Sequence, residues 1–517
     1  MSEDSNELWS KIVREGVEDR VEVNQRMLID KMLARYSSDF VIYRELIQNS
    51  DDAQARSFRL QIQCDPPDLT SSYQPIQKTN LIQGFNQLLK TSLGFNLNEN
   101  SKENSFEETL NNCLINEIRT VNDGNIFSEQ DWKRVITIAE GNTNIDAIGQ
   151  FGVGFFSVFS YSEKPMIQSG KHCLAFAWQN GKCLTTFRKE LPANEQTTTT
   201  SIILPMKNKY LLQTKENLSS KAKKNLQTNQ IIPTLNLFEL KKYFTKVLCF
   251  TKSIERLTIE INQKVVFQIS KSKQIIEATK CSLASKQFNL NSTDHQFVRL
   301  NSFIETEQTF EIENHSSIQL NHLDVQASIQ IDKQFEKQIQ QIIKKELPQT
   351  ISIQFLFPKI EIFQQENMKF FDKNEILKEI IPLKFHQNQL HPHGQIFIGL
   401  STHQTTGLGM HIFTHLIPTI ERENIDLQDP YISIWNEHLL ISIGQISRFV
   451  YDQILLNTIN RVEQQSNQFI NSILSLFSFE KSTPNPNISR LIVEGFFSLD
   501  KDLLVPVRRN PNDKHLS

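Results

Sequence analysis

The 517-residue chain lacks most of the features that assign a protein to a class directly. Its six cysteines, Cys64, Cys113, Cys173, Cys183, Cys249 and Cys281, form no C-x-x-C pair and no Cys/His cluster with metal-ligand spacing. Neither a disulfide framework nor a zinc site is therefore indicated. The thiols read as reduced and structural, as in a cytoplasmic or nuclear protein. With 55 Lys and Arg against 58 Asp and Glu, the net charge of -3 gives no electrostatic ground for a nucleic-acid partner. Lysines crowded between Lys207 and Lys273 read as a solvated linker face. Met1 to Arg20 is too charged to hold the apolar core of a secretory signal. The longest apolar stretch, Phe151 to Phe159, contains two glycines and is about half of what a membrane span requires. Neither a targeting nor a spanning segment is expected, and no repeat period suggests a solenoid.

A chain of this length predicts roughly two or three domains rather than one core. Leu28 to Ala53 carries helix-period apolar residues, and Ser57 to Gln63 then alternates Phe58, Leu60 and Ile62 in strand fashion. From Cys64 to Phe106 the chain turns to Pro, Ser, Asn and Gln, an insertion with some helix near Leu81 to Leu89. Further strands are expected at Ile115–Val121, Pro165–Gln168, Cys173–Trp178 and Ser201–Pro205, and helices at Glu129–Glu140 and Gly154–Ser160. Strands and helices in this order predict an α/β sandwich over residues 1–206. Lys207 to Ile232, poor in apolar residues, reads as a linker. A second α/β domain is expected over 233–424, with strands at Leu257–Ile261, Leu323–Ile331 and Thr350–Phe357 and a helix at Gln334–Lys345. A mainly helical region is expected over 425–517, with Tyr431, Trp435, Leu440, Ile441 and Phe449 as candidate core.

Chemistry concentrates in three segments of the first domain. In Arg44-Glu-Leu-Ile-Gln-Asn-Ser-Asp-Asp-Ala53, at about 100° per residue, Glu45, Asn49 and Asp52 fall within about a 60° arc of one helix face. An Asn oxygen suits Mg²⁺, and a Glu one turn earlier can act as general base toward a water attacking a γ-phosphate. A solvated polar face explains this segment alone equally well. The second segment, Ile148-Gly-Gln-Phe-Gly-Val-Gly-Phe-Phe-Ser157, gathers Gly149, Gly152 and Gly154 in a chain with only 16 glycines. That spacing permits close backbone approach, and the apolar run that follows supplies a helix whose first amides can hold phosphate. Between the two lies Arg119-Thr-Val-Asn-Asp-Gly124 at a strand end. There Asn122 or Asp123 can accept from an adenine amino group with Gly124 leaving room for the base, and an ordinary turn is the alternative. Asn125 to Ala147 has the placement of a lid, with Trp132 as its anchor.

These segments, in this order, resemble the GHKL superfamily of heat-shock chaperone, gyrase, MutL and histidine-kinase ATPases. They stand nearest the heat-shock-chaperone and sacsin branch, where the same Arg-Glu-Leu-Ile-x-Asn helix and Ile-Gly-Gln-Phe-Gly-Val-Gly-Phe loop occur. The resemblance implies a Bergerat two-layer α/β sandwich over residues 1–206, with ATP and Mg²⁺ as ligands. It makes Glu45 the catalytic base and Asn49 the magnesium ligand, and sets Asp52 along the pocket. It assigns the phosphates to Gly149, Gln150, Phe151, Gly152, Val153, Gly154 and Phe155, and gives Thr200 a part in holding adenine. The usual motif is Asp-x-Gly, and strict spacing puts Asn122 at the Asp position. Val21 to Lys31, Phe397 to Gly407 and Ile417 to Asp426 resemble a large fungal family that joins a sacsin-like ATPase region to a domain of unknown function. ATP and ADP, a protein client or partner, and a homodimer are the partners such a relationship implies.

Two functions follow as expectations: slow Mg²⁺-dependent ATP hydrolysis coupled to lid closure, or a non-catalytic nucleotide switch or interaction scaffold. His403, Gln404, Thr405, Thr406 and Arg422, near Gly399, Gly407 and Gly409, form a polar cluster of the kind that completes a γ-phosphate site from a second domain. A satisfied core or interface polar cluster is the favoured reading of that stretch. Gln213-Thr-Lys215 spells a phosphate-contacting triplet of gyrase-like enzymes, but it falls in the expected linker and reads as coincidence.

Overall fold

A computed structural model describes residues 3–16, 23–34, 40–65, 106, 109–138, 154–214, 223–224, 231–275, 297–313, 315–359, 374–386, 389–419, 424–459, 467–499 and 502–505. The helix expected near Leu81 to Leu89, most of the expected insertion, Gly149 to Val153, the far part of the lid, Lys215 and Arg422 lie outside the described residues.

The helices in chain order are α1 (Glu3–Glu15), α2 (Gln25–Leu33), α3 (Val41–Asp52), α4 (Glu129–Val135), α5 (Leu237–Val247), α6 (Lys333–Ile343), α7 (Pro430–Ile459), α8 (Asn467–Leu476) and α9 (Asn487–Phe497). The principal strands begin with β1 (Ser57–Asp65), β2 (Leu114–Asn122), β3 (Met166–Ser169), β4 (His172–Gln179), β5 (Cys183–Glu190), β6 (Thr200–Gln213) and β7 (Thr234–Asn236). They continue with β8 (Arg256–Ile261), β9 (Lys264–Ile275), β10 (Val298–Ile312), β11 (Ser316–Ile329), β12 (Thr350–Pro358), β13 (Gln395–Ile398), β14 (Leu400–Thr405) and β15 (His411–Phe413).

All fifteen belong to one mixed sheet, in the order β14, β13, β15, β12, β11, β10, β9, β8, β1, β2, β6, β3, β4, β5, with β7 beside the far end of β6. The protein is therefore of the α/β class. Most neighbours are antiparallel hairpin partners, but β1 pairs in parallel with β8, Ser57 opposite Arg256 through Ile62 opposite Ile261. That pairing carries the sheet unbroken across the stretch expected as a linker, whose first residues belong to β6.

Strand β1 shows how the pattern in the chain becomes two faces. Phe58, Leu60 and Ile62 are fully buried, and the Phe58 ring meets Phe244 of α5 edge-on at 6.2 Å. The alternate residues turn to the polar face, where the Gln61 side chain donates to Glu260 at 2.7 Å. A groove of about 490 Å³ lies there, lined by Gln61, Gln63, Glu117, Arg119, Glu260 and Gln263. Period-two alternation has thus set which face meets the helices.

The chain departs from its sequence-based expectations in several places. The single helix expected over Leu28 to Ala53 is two helices, the first ending on Ala34 as its C-cap and the second starting after Phe40 as its N-cap. The helix expected to reach Glu140 ends at Val135, beyond which Ile136 is exposed, and Gly154–Ser160 is a 3-10 helix. Tyr431, expected in the core, sits 38% exposed in the first turn of α7 against Phe335 at 6.1 Å. Trp435, Leu440 and Phe449 of the same helix are buried, and Ile441 is partly so. Within α7, Pro430–Leu456 is long and apolar enough to cross a bilayer at a mean hydropathy of 1.2, but 78% of that window is buried inside the protein. Its apolarity is used in packing against the rest of the chain.

Candidate functional site

Helix α3 presents its apolar residues Ile42, Tyr43, Leu46 and Ile47 to the core and carries Arg44 and Glu45 inward with them. A buried carboxylate needs compensation, and the Arg44 guanidinium supplies it at 3.1 Å from Glu45 Oε1, with both side chains no more than 9% exposed. The other carboxylate oxygen turns toward the 3-10 helix. A Cβ added to Gly154 would stand 2.0 Å from Glu45 Oε2 and 2.7 Å from its Cδ. The last glycine of the glycine-rich segment is thus the surface on which Glu45 rests, and a side chain there would force the carboxylate to move. Asn49 is exposed on the next turn of α3, and Asp52 is half-buried. Phe155 follows Gly154 and is half-buried against Phe176.

A second group of candidate residues lies at strand ends. Asn122 closes β2 directly across from Thr200, which opens β6, and Thr200 lies across from Ser169 of β3. The three form a polar row over adjacent strands. The Thr200 and Ser169 hydroxyls are 2.7 Å apart, and Ser169 Oγ also accepts from the Phe127 amide at 2.9 Å. That bond fixes the start of the expected lid. Trp132 of α4 is buried with its ring 4.9 Å from Phe127, and Arg188 stacks on it at 4.8 Å while gripping both Glu129 oxygens.

Asn122 and Asp123 are distinguished by their partners. Asp123 Oδ1 accepts from the Arg56 and Ser57 amides at 2.8 Å each, and its Oδ2 accepts from the Ser57 hydroxyl at 2.8 Å. Burial works against its charge, but these hydrogen bonds from Ser57 and Arg56 hold the Asp123 carboxyl below its ordinary range. Asp123 therefore fixes the entry to β1. Asn122 Oδ1 accepts instead from the Gly124 amide at 3.1 Å. Gly124 packs against the end of α3, where a Cβ would fall 2.6 Å from the Ala53 carbonyl oxygen. The adjacent Asn125 amide donates to that same oxygen at 2.8 Å.

Residues 206–508, more than half of the chain, match the family described as Protein of unknown function (DUF3684). The chain belongs to the DUF3684 family. A search of curated proteins finds no match. The DUF3684 region supplies structure to the site described above. Tyr243 of α5 stacks on Phe40 at 5.2 Å beside Arg44 and Glu45, and burial pushes its phenol well above its ordinary range. Within the same region Gln404 is fully buried and exchanges hydrogen bonds with the backbone of Asn485, and Thr406 Oγ1 donates to the Leu408 and Met410 carbonyls. Both side chains are thus buried and engaged locally, as in a satisfied core polar cluster, while His403 is exposed. Gln213 ends β6, buried, opposite Asn236 of β7.

One residue of this neighbourhood was passed over in the sequence. Asp51 lies about 100° around α3 from Asp52, off the face that drew attention. It is buried, and its carboxylate accepts from three successive amides of the DUF3684 region. Nothing local in the chain marks it, because its partners stand some two hundred positions away.

Proposed function

We propose that the chain binds ATP with Mg²⁺ in a Bergerat-type site formed by residues 1–206, as a GHKL ATPase of the heat-shock-chaperone and sacsin-like branch. The observation that carries this is the seat of Glu45 on Gly154, where the carboxylate of the α3 motif abuts the end of the glycine-rich segment. The polar row of Asn122 and Thr200 at adjoining strand ends adds to it, since an amide and a hydroxyl there suit the edge of a purine. Asn49, exposed one turn beyond Glu45, has the hard oxygen that Mg²⁺ prefers. When bound, the metal would neutralise phosphate charge. Glu45 would orient and deprotonate the attacking water, and Gly154 with Phe155 would border the phosphates. The fold that goes with this reading is a two-layer sandwich followed by a second α/β unit and a helical C-terminal part, in a cytoplasmic protein that acts on protein clients and dimerises.

A second reading, a nucleotide switch without turnover, draws on the buried Arg44–Glu45 ion pair. A carboxylate oxygen already engaged by a buried guanidinium can serve the structure without serving turnover. Phosphate release and nucleotide binding measured on wild type and Glu45→Ala separate the readings. An ATPase keeps binding and loses release on substitution, a switch binds with no turnover in either protein, and absence of binding by pure wild type with Mg²⁺ sinks both.

A further inference from the structure

Asp51 sits in the last turn of α3, where the helix dipole disfavours a negative charge. It is buried there all the same, so its stabilisation comes from outside the helix. The source is the loop 251–255 that leads into β8. The Lys252 amide donates to Asp51 Oδ2 at 2.8 Å, and the Ser253 and Ile254 amides donate to Oδ1 at 2.8 and 2.9 Å. Three consecutive amides converging on one carboxylate form an anion nest. The nest is braced from behind. Thr251 Oγ1 donates to the Ile254 carbonyl at 2.7 Å, and Lys271 Nζ of β9 donates to the Thr251 carbonyl and hydroxyl at 2.6 and 2.8 Å. Just past the nest the Glu255 and Arg256 amides bond the Arg56 carbonyl and start the parallel β1–β8 pairing. The loop is therefore stiff, and so is its hold on the helix.

We infer that Asp51 is a positioning residue through which the DUF3684 region sets the helical turn bearing Asn49, and with it the magnesium-dependent part of nucleotide binding. The inference rests on the proposed nucleotide reading and names the regulation of that same site. Asp51 is two residues from Asn49, so any shift of the loop 251–255 is delivered to the metal ligand. The strand ends bearing Asn122 and Thr200 are held to each other by the β2–β6 pairing and reach this loop only through the 53–57 turn, so the effect on them is expected to be the smaller one.

The test uses the full chain and titrates ATP twice, once with Mg²⁺ and once with excess chelator, on wild type, Asp51→Ala, Asp51→Asn and Thr251→Val. Asp51→Ala is expected to weaken MgATP binding about tenfold or more while metal-free ATP stays within about threefold, a coupling of ordinary size between linked sites. Asp51→Asn keeps one oxygen for the Ser253 and Ile254 amides and should recover part of the loss. Thr251→Val, which loosens the nest from the DUF3684 side without touching α3, should lower MgATP affinity in the same selective way. Equal MgATP affinity in wild type and the variants, or a loss of the same size with and without metal, overturns the positioning role while the nucleotide reading stands. Wild type that binds ATP under neither condition removes the nucleotide reading and this inference together. Should Asp51→Ala fail to fold, the Asp51→Asn and Thr251→Val pair supports the same comparison.

Discussion

Replacing Gly154 by alanine places one methyl group against the proposed general base. The added Cβ would stand 2.0 Å from Glu45 Oε2 and 2.7 Å from Cδ, so the carboxylate must retreat by about 1 Å or more to reach ordinary contact. It has little room to do so. Arg44 pins the other oxygen at 3.1 Å, and the Glu45 side chain is 5% exposed in a packed interior. Overpacking of this kind costs about 1–3 kcal/mol of stability, and a misplacement of about 1 Å at a reacting group costs roughly 10²-fold in rate. On the proposed reading, Gly154→Ala should cut phosphate release at saturating ATP by about two orders of magnitude. ATP affinity should change by no more than about 1.4 kcal/mol, or tenfold. Because the methyl acts through the carboxylate, Gly154→Ala combined with Glu45→Ala should turn over no more slowly than Glu45→Ala alone. Multiplicative losses in the double variant, or wild-type turnover in Gly154→Ala, would refute the argument that Glu45 is seated on this glycine.

The two strand-end residues should part company. Asn122→Ala is expected to weaken ATP binding by about 1–3 kcal/mol in a nucleotide titration with little change in unfolding midpoint. Asp123→Ala should leave ATP affinity unchanged and lower stability by about 1 kcal/mol, a figure reduced for its exposure. Since the folded Asp123 carboxyl is held below its ordinary range, its contribution is present above the unfolded pKa and is lost as pH falls through the folded one, so acid unfolding curves of wild type and Asp123→Ala should converge at low pH. Burial lowers Lys271 to about 8 from its ordinary 10.5, so the unfolded chain holds more protons between those values. Stability should therefore rise as pH goes from 8 to 10.5 in wild type, and Lys271→Met should flatten that rise in denaturant titrations. A fragment ending at Thr214 would lose β8 from the edge of β1 and α5 from Phe58, and should show no cooperative thermal unfolding.

Elements whose evidence is local were legible in the chain. Alternation placed β1, β2, β4 and β8 within a residue or two, because one side of each meets a packed layer and the other does not. The glycine-rich segment and the α3 motif stand out in the chain because side-chain spacing on a helix and the absence of Cβ atoms are properties of short stretches, and the structure brings Glu45 of the one against Gly154 of the other. Pairing between distant strands leaves no such trace. The β1–β8 contact joins residues some two hundred positions apart in parallel, and nothing in the pattern of Ser57–Gln63 distinguishes Arg256–Ile261 as its neighbour from any other alternating run. The misread boundary follows from the same cause. Lys207 to Ile232 looks like a linker by composition, yet its start belongs to β6, whose far end is held by β7 through backbone hydrogen bonds that any side chain permits. Asp51 is the sharpest case. In sequence it duplicates Asp52 and faces away from the motif, and in the fold it is the acceptor for three amides of the DUF3684 region. A carboxylate can be stabilised in the last turn of a helix only by partners outside that helix. Helix α3 and the DUF3684 region therefore form one mechanical unit, and a change in either must be felt by the other.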